Sequence, residues 1–287
     1  MKNNAPLVSK DTLLPFVLLT ICFAAWGVAA NMTDPLVKVF SKIFTMSSLQ
    51  SALVQFAYYG AYFCLAIPAA FINKRFSYKT GVLTGLGCAA AGAFLFYPAS
   101  QTMTYGFFLA ALFVLAGGLS ILETSANPYV MAMGSEKSAT RRLNLAQAFN
   151  PVGTNLGVFL AATLILPNLN QATAEERAAM SVSELKSVIG AELDAVMLPY
   201  VGMAFVLVLV WVAIAMIKAP IQESVESSVE DVKLSASLKR LAENKHYRFG
   251  VLAQFFNVGA QTCVWTFTIQ YAMKAMGGNE VSGGEIL

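Results

Sequence analysis

The chain has 287 residues, 57% of them hydrophobic and only 12% charged, with a mean hydropathy of +0.61. A soluble domain carries about 25% charged residues, so a soluble fold is excluded and an all-helical membrane protein is expected. The net charge of +3 gives no nucleic-acid signal, the four cysteines have no paired spacing, and the single His246 argues against a histidine metal site.

A membrane-crossing helix needs about 20 mostly apolar residues. Seven runs qualify, at 13–33, 47–72, 80–98, 104–133, 143–166, 196–217 and 249–273. Each is too long for a barrel strand, and helices satisfy their own backbone groups in lipid. The first run is longer than the apolar part of a signal peptide and is read as span one. Basic residues sort by side. Lys2 and Lys10, then Lys74, Arg75 and Lys79, then Lys137, Arg141 and Arg142, then Lys218, Lys233, Lys239, Arg240, Lys245 and Arg248 fall at one set of span ends. The alternate loops hold only Lys38, Lys42, Arg177 and Lys186. The positive-inside rule therefore predicts a cytoplasmic N-terminus.

Gly81, Gly85, Cys88 and Gly92 in span three are expected to form a close-packing face, with Gly117 and Gly118 either doing the same in span four or loosening its helix. The acid-rich stretch 167–195 reads as a solvated outer loop, with capping-box spacing at Ser181 and Glu184 that suits a short surface helix. Residues 219–246 read as a cytoplasmic linker. Its second part places Leu234, Leu238 and Leu241 on one face, to lie on the membrane or on the bundle. The predicted organisation is a six-helix bundle over 1–218, the linker over 219–246, and helix seven with a stub over 247–287.

Two carboxylates interrupt the apolar pattern. Asp34 closes the first run and Glu123 lies inside the fourth. A charge near the bilayer centre costs about 3 kcal/mol on insertion scales and about 10 or more in simulations, so such acids face a cavity, a partner or a proton path, the alternative being a neutral, hydrogen-bonded packing group or a place at the interface. Polar residues gather on helical faces around them. Asn31 and Asp34 are three apart, Gln55, Tyr58, Tyr59 and Tyr62 share a stripe, and Glu123 and Asn127 are four apart. Asn144 and Gln147 are followed by Asn150, and Gln254, Asn257, Gln261 and Trp265 run along the seventh span. Each face is costly toward lipid and is expected to point inward. Amides that donate and accept, a carboxylate, and flat Tyr and Trp rings suit a sugar. No span interior holds the Arg or Lys that a strongly anionic substrate would need. For any one of these residues, simple helix-to-helix gluing is an even alternative. Pro128 and Pro151 break two polar helices, and the carbonyls they free could bind substrate, permit bending or simply record a packing kink.

Two segments carry a resemblance. Leu122-Glu123-Thr124-Ser125-Ala126-Asn127-Pro128 and Arg142-Leu143-Asn144-Leu145-Ala146-Gln147-Ala148-Phe149-Asn150 resemble signatures of the fucose:proton symporters, a branch of the major facilitator superfamily. The run from Trp26 to Asp34 is similar to that family's first helix, and Gly259-Ala260-Gln261-Thr262 with Trp265 to its seventh. The resemblance implies a twelve-helix fold of two six-helix bundles, so the chain reads as truncated after helix seven. It implies proton-driven sugar import across a bacterial inner membrane, with no enzyme activity and no cofactor. Asp34 and Glu123 would carry the coupling. Glu123, Asn127, Gln147 and Asn150, with Asn31 and Tyr58 nearby, would meet the sugar from the first half, and Gln261 and Trp265 from the second. The implied partners are L-fucose, protons and the bilayer, with a monomeric protein and no nucleic acid. Import of glucose, galactose or N-acetylglucosamine, and a sensor that binds sugar without moving it, are the alternatives.

Overall fold

The computed structural model describes residues 7–43, 48–170, 172, 174–217 and 234–276, and its regular elements are all helical. The chain divides into two compact units, Met1–Ser224 and Val225–Leu287. The first unit holds α1 (Leu13–Ile43), α2 (Ser48–Arg75), α3 (Tyr78–Thr102), α4 (Tyr105–Ala132), α5 (Ala139–Gln147), α6 (Phe149–Leu160), α7 (Ala174–Ala179) and α8 (Val182–Met216). The second holds α9 (Leu234–Glu243) and α10 (Lys245–Met276).

Six stretches among the described residues are long and apolar enough to cross a membrane: Lys10–Met32, Leu53–Arg75, Tyr78–Thr102, Tyr105–Ala132, Glu136–Ile165 and Val182–Met216. The seventh apolar run falls within α10. Two spans differ from the pattern of apolar residues. Span five is a series: α5, a break at Ala148, α6, a π-helical turn at Ala161–Ile165 and a 3-10 turn at Leu166–Asn168. Pro151 explains the break, because it has no N–H to give the Gln147 carbonyl one turn earlier. Span six starts at Val182 rather than 196, since the Ser181–Glu184 capping box is fully formed and caps α8 itself. The short surface helix expected at that box is instead the first turn of a 35-residue helix.

Close approach of backbones shapes the first unit. α3 and α4 meet through glycine: a Cβ built at Gly85 would stand 2.5 Å from the Leu122 amide nitrogen, at Gly92 2.2 Å from that of Leu115, and at Gly118 2.2 Å from that of Ala89. The predicted small-residue face is thus a backbone-to-backbone seam. Gly117 faces Leu65 of α2 instead. A second seam joins α1 to α6, where a Cβ at Gly27 would stand 2.3 Å from the Asn150 carbonyl oxygen and one at Gly153 1.9 Å from that of Ala24.

α8 closes the bundle against α3 and α1. Phe96 stacks on Tyr200 with ring centroids 4.5 Å apart, and the Tyr200 hydroxyl donates to the Met32 carbonyl at 2.9 Å. Trp211 Nε1 donates to the Leu83 carbonyl at 2.9 Å. Lys79 Nζ donates to the Ala215 carbonyl at 3.0 Å and to that of Ile217, so a cation neutralises the C-terminal end of α8.

A direct consequence concerns the α1–α6 seam. Gly153→Ala is expected to destabilise the bundle by about 1–3 kcal/mol, as overpacking does. Gly106→Ala, where an added Cβ meets nothing within 4 Å, is the control and is expected to be neutral or slightly stabilising. Thermal unfolding of both variants in the same detergent checks the contrast.

Candidate sugar and proton site

The two signature segments lie on different helices and meet in space. Glu123 and Asn127 sit one turn apart on α4, and Gln147 ends α5. Gln147 Nε2 donates to Asn127 Oδ1 at 2.7 Å, joining residues twenty apart in sequence. The pair carries an NH2 on Asn127 and a carbonyl oxygen on Gln147, the donor and acceptor types that vicinal hydroxyls match. Asn150, three residues on, opens α6 and donates through Nδ2 to the Phe23 carbonyl of α1 at 3.4 Å. Asn31 on α1 donates through Nδ2 to the Thr154 hydroxyl of α6 at 3.0 Å and to the Gly27 carbonyl at 2.9 Å. The polar residues of α1 and α6 are thereby tied at the glycine seam.

Glu123 is only partly buried, between the buried Leu122 and Ser125. Ser120, one turn before it, donates to the Tyr62 carbonyl at 3.2 Å, so this face of α4 looks toward α2. There Tyr58 and Tyr62 lie with ring centroids 5.3 Å apart and an interplanar angle of 34°. Trp26 Nε1 donates to the Tyr62 hydroxyl at 2.8 Å. Glu123 lies three residues on from Ser120, just past the point at which the Ser120 bond ties α4 to Tyr62. The result is a carboxylate beside a wall of aromatic rings with polar rims, drawn from α1, α2 and α4. Trp26 and Tyr62 were visible in sequence only as part of a run and a stripe; their mutual hydrogen bond was not.

Other expected members fall elsewhere. Asp34 lies on α1, but its side chain is outside the described residues. Gln261 and Trp265 lie on α10 in the second unit, and the Trp265 side chain is also outside the described residues. Five members of the polar stripes, Tyr59 and Asn144 in the first unit and Gln254, Asn257 and Gln261 on α10, are exposed rather than inward-facing.

Three polar features went unread in the sequence. Arg142, counted there as a loop charge, is wholly buried. Its guanidinium donates to the Val130 carbonyl at 3.2 Å, Met131 at 2.6 Å, Ser135 at 3.1 Å and Leu7 at 3.3 Å, and to the Ser138 hydroxyl at 2.6 Å. It satisfies carbonyls that the end of α4 leaves unpaired, with the charge favoured by the helix dipole. The stretch 167–195, expected to be a solvated loop, holds a buried ion pair. Arg177 on α7 and Glu192 on α8 are 3% and 1% exposed, and Arg177 Nη1 donates to Glu192 Oε2 at 2.9 Å. The third feature is Asn73, 8% exposed, whose Nδ2 donates to the Thr124 carbonyl at 3.3 Å.

Residues 17–284 match the profile of the Major Facilitator Superfamily. The chain is 43% identical over 276 residues to the L-fucose-proton symporter of Haemophilus influenzae, covering 94% of this chain and 64% of that protein. It is 36% identical over 253 residues to the glucose/galactose transporter of Brucella abortus, covering 88% of this chain and 57% of that one. The crystal structure of the E. coli fucose:proton symporter superposes with a TM-score of 0.82 at 40% identity, over 92% of this chain and 64% of that chain. The chain thus spans less than two thirds of the length of these relatives.

Proposed function

The chain belongs to the Major Facilitator Superfamily, and from that premise we propose that it serves proton-coupled import of a sugar, L-fucose first, by alternating access. The observation that carries the reading is the Asn127–Gln147 hydrogen bond, which gathers both signature segments beside the half-buried Glu123. A relative named as an L-fucose-proton symporter at 43% identity supports the choice of sugar.

The proposed cycle runs on neutralisation. Asp34 or Glu123 takes a proton from the outer side, which removes the penalty of a buried charge. Sugar binds against Glu123, the Asn127–Gln147 pair and Asn150, with its apolar C–H face toward Tyr58 and the neighbouring rings, and with Gln261 and Trp265 approaching from the second half. Asn31 holds the α1–α6 seam beside them. The loaded protein, with its proton-exchanging acid neutral, rocks to face inward, releases sugar and proton, and returns empty. Glu123 is assigned the sugar contact and Asp34 the proton exchange. The same reading takes the N-terminus as cytoplasmic, the bilayer as a bacterial inner membrane, the protein as a monomer, residues 219–246 as an inter-domain linker, and the proton gradient as the only driver, with no cofactor.

A glucose or galactose importer is the second reading, favoured by the 36% identity to the Brucella abortus transporter. Inverted membrane vesicles do not suit the test; right-side-out vesicles holding the complete gene product do. With an imposed pH gradient, alkaline inside, labelled L-fucose is expected to rise above its outside concentration and to fall back on adding a protonophore. Uptake that stops at equilibrium with the gradient in place would sink the coupled reading.

A further inference from the structure

Pro128 sits four residues after Thr124 in α4 and has no N–H to donate, so the Thr124 carbonyl lacks its helical partner. That carbonyl belongs to the residue next to Glu123 and is three residues from Asn127. It accepts a hydrogen bond from outside its own helix, from Asn73 Nδ2 near the end of α2, at 3.3 Å. Asn73 is buried at that point. The space for its amide is reserved by a missing side chain: a Cβ at Gly81 of α3 would stand 2.0 Å from Asn73 Oδ1 and 2.3 Å from the Ser125 hydroxyl. Asn73 Oδ1 itself has no hydrogen-bond partner among the described residues, so the amide is held by its donor end. A buried amide that keeps one unpaired oxygen is ill-suited to serve packing alone.

We infer that Asn73 is a positioning residue for Glu123 and Asn127: its amide takes the place of the N–H that Pro128 lacks and so sets the kink of the helix turn that presents both side chains. The inference deepens the transport reading and rests on it for the roles of Glu123 and Asn127. The missing N–H and the Asn73–Thr124 bond are properties of this chain whatever it carries. Proline gives α4 a bend, Asn73 fixes the size of the bend, and Gly81 admits Asn73. α2, α3 and α4 are thereby locked at one point next to the carboxylate.

The test uses the removable cause. Pro128→Ala returns an N–H to the Thr124 carbonyl and makes Asn73 redundant. The first readout needs no transport: alkylation of a cysteine placed at 127, in a chain whose four native cysteines are serine. Asn73→Ala is expected to change the alkylation rate at least about threefold, and Asn73→Ala in the Pro128→Ala background to leave it where Pro128→Ala alone has it. The second readout is L-fucose counterflow by the complete gene product carrying Asn127. There Asn73→Ala is expected to raise half-saturation about tenfold with the maximal exchange rate within about twofold, and the Pro128→Ala background to cancel the rise. If Asn73→Ala does not reach the membrane, Asn73→Leu, close in size and with no donor in any protonation state, replaces it under the same outcomes. Unchanged alkylation, or an effect of equal size with and without Pro128, overturns the inference. Absent counterflow in the unmutated protein counts against the transport reading alone, and alkylation still decides the role of Asn73.

Discussion

Accumulation of L-fucose against its gradient is expected to fail in both Glu123→Gln and Asp34→Asn, while exchange of sugar for sugar separates the two. Each amide is close in size to the protonated acid, so either variant is locked in the neutral form that the cycle needs only in part. A permanently neutral residue 34 removes the step in which a proton is given up inside. Loaded protein can still rock in both directions, and Asp34→Asn is expected to keep exchange within about tenfold of the unmutated rate, a loss of about 1.4 kcal/mol in the barrier. Glu123 lies one turn before Asn127, whose side chain pairs with Gln147, and its carboxylate is assigned to the sugar hydroxyls. A charge-assisted hydrogen bond is about twice as strong as a neutral one. Glu123→Gln is therefore expected to weaken sugar binding in exchange as well, by about ten- to a hundredfold, as the loss of one bond of about 1.5–3 kcal/mol would give. Parallel measurement of uphill uptake and of counterflow separates the cases. An Asp34→Asn protein that still concentrates sugar, or a Glu123→Gln protein with unchanged half-saturation in exchange, contradicts the assignment.

The second large effect is on stability, at the far end of α8. Glu192→Ala leaves the Arg177 guanidinium buried with its partner gone. Removing one member of a buried ion pair costs about 3–5 kcal/mol, against the 0–1 kcal/mol typical of an exposed pair. Here the loss is compounded, because Glu192 Oε1 also accepts from the Asn170 backbone N–H at 2.9 Å. Among the described residues, Arg177 Nη2 and Nε then keep long bonds to the Asn170 and Ala172 carbonyls, both at 3.4 Å. The pair thus pins the chain between α6 and α8 onto the first turns of α8. Replacing both residues, as in Arg177→Met with Glu192→Leu, removes the buried charges together and is expected to restore most of the lost stability. Thermal unfolding of both single variants and the double in detergent gives the coupling directly. A Glu192→Ala protein that unfolds within a degree of the unmutated one would show the pair to be solvated.

Much of this was legible in the sequence, for a physical reason. Lipid allows only helices, so apolar runs of sufficient length mark spans, and six of those runs correspond to membrane-length helices in the first unit. Gly85 and Gly92 were legible because a helical stripe of small residues has few uses besides close approach, whereas the adjacent Gly117 and Gly118 gave no way to tell which of them meets α3. Glu123-x-x-x-Asn127 and Gln147-x-x-Asn150 could each be expected to face inward, being polar where lipid forbids it, but the bond that joins Asn127 to Gln147 could not be read. What stayed hidden were pairings over distance. Arg142 looked like one more loop charge, because nothing local says that the end of α4 will fold over it. Arg177 and Glu192 lie fifteen residues apart in a stretch with many acids, and composition cannot select the one that is buried. Asn73 sits beside Lys74 and Arg75 and reads as the end of a span; its role depends on a proline two helices away.

The most direct test of coupled sugar import is the pH of a lightly buffered suspension of de-energised cells producing the complete gene product, on addition of L-fucose, glucose, galactose or N-acetylglucosamine. An alkaline shift on adding L-fucose, absent with the other sugars and absent from Asp34→Asn cells, is the predicted result. No shift with any of the four sugars, from cells in which the protein is present in the membrane, would contradict it and would leave a sugar-binding protein that does not transport.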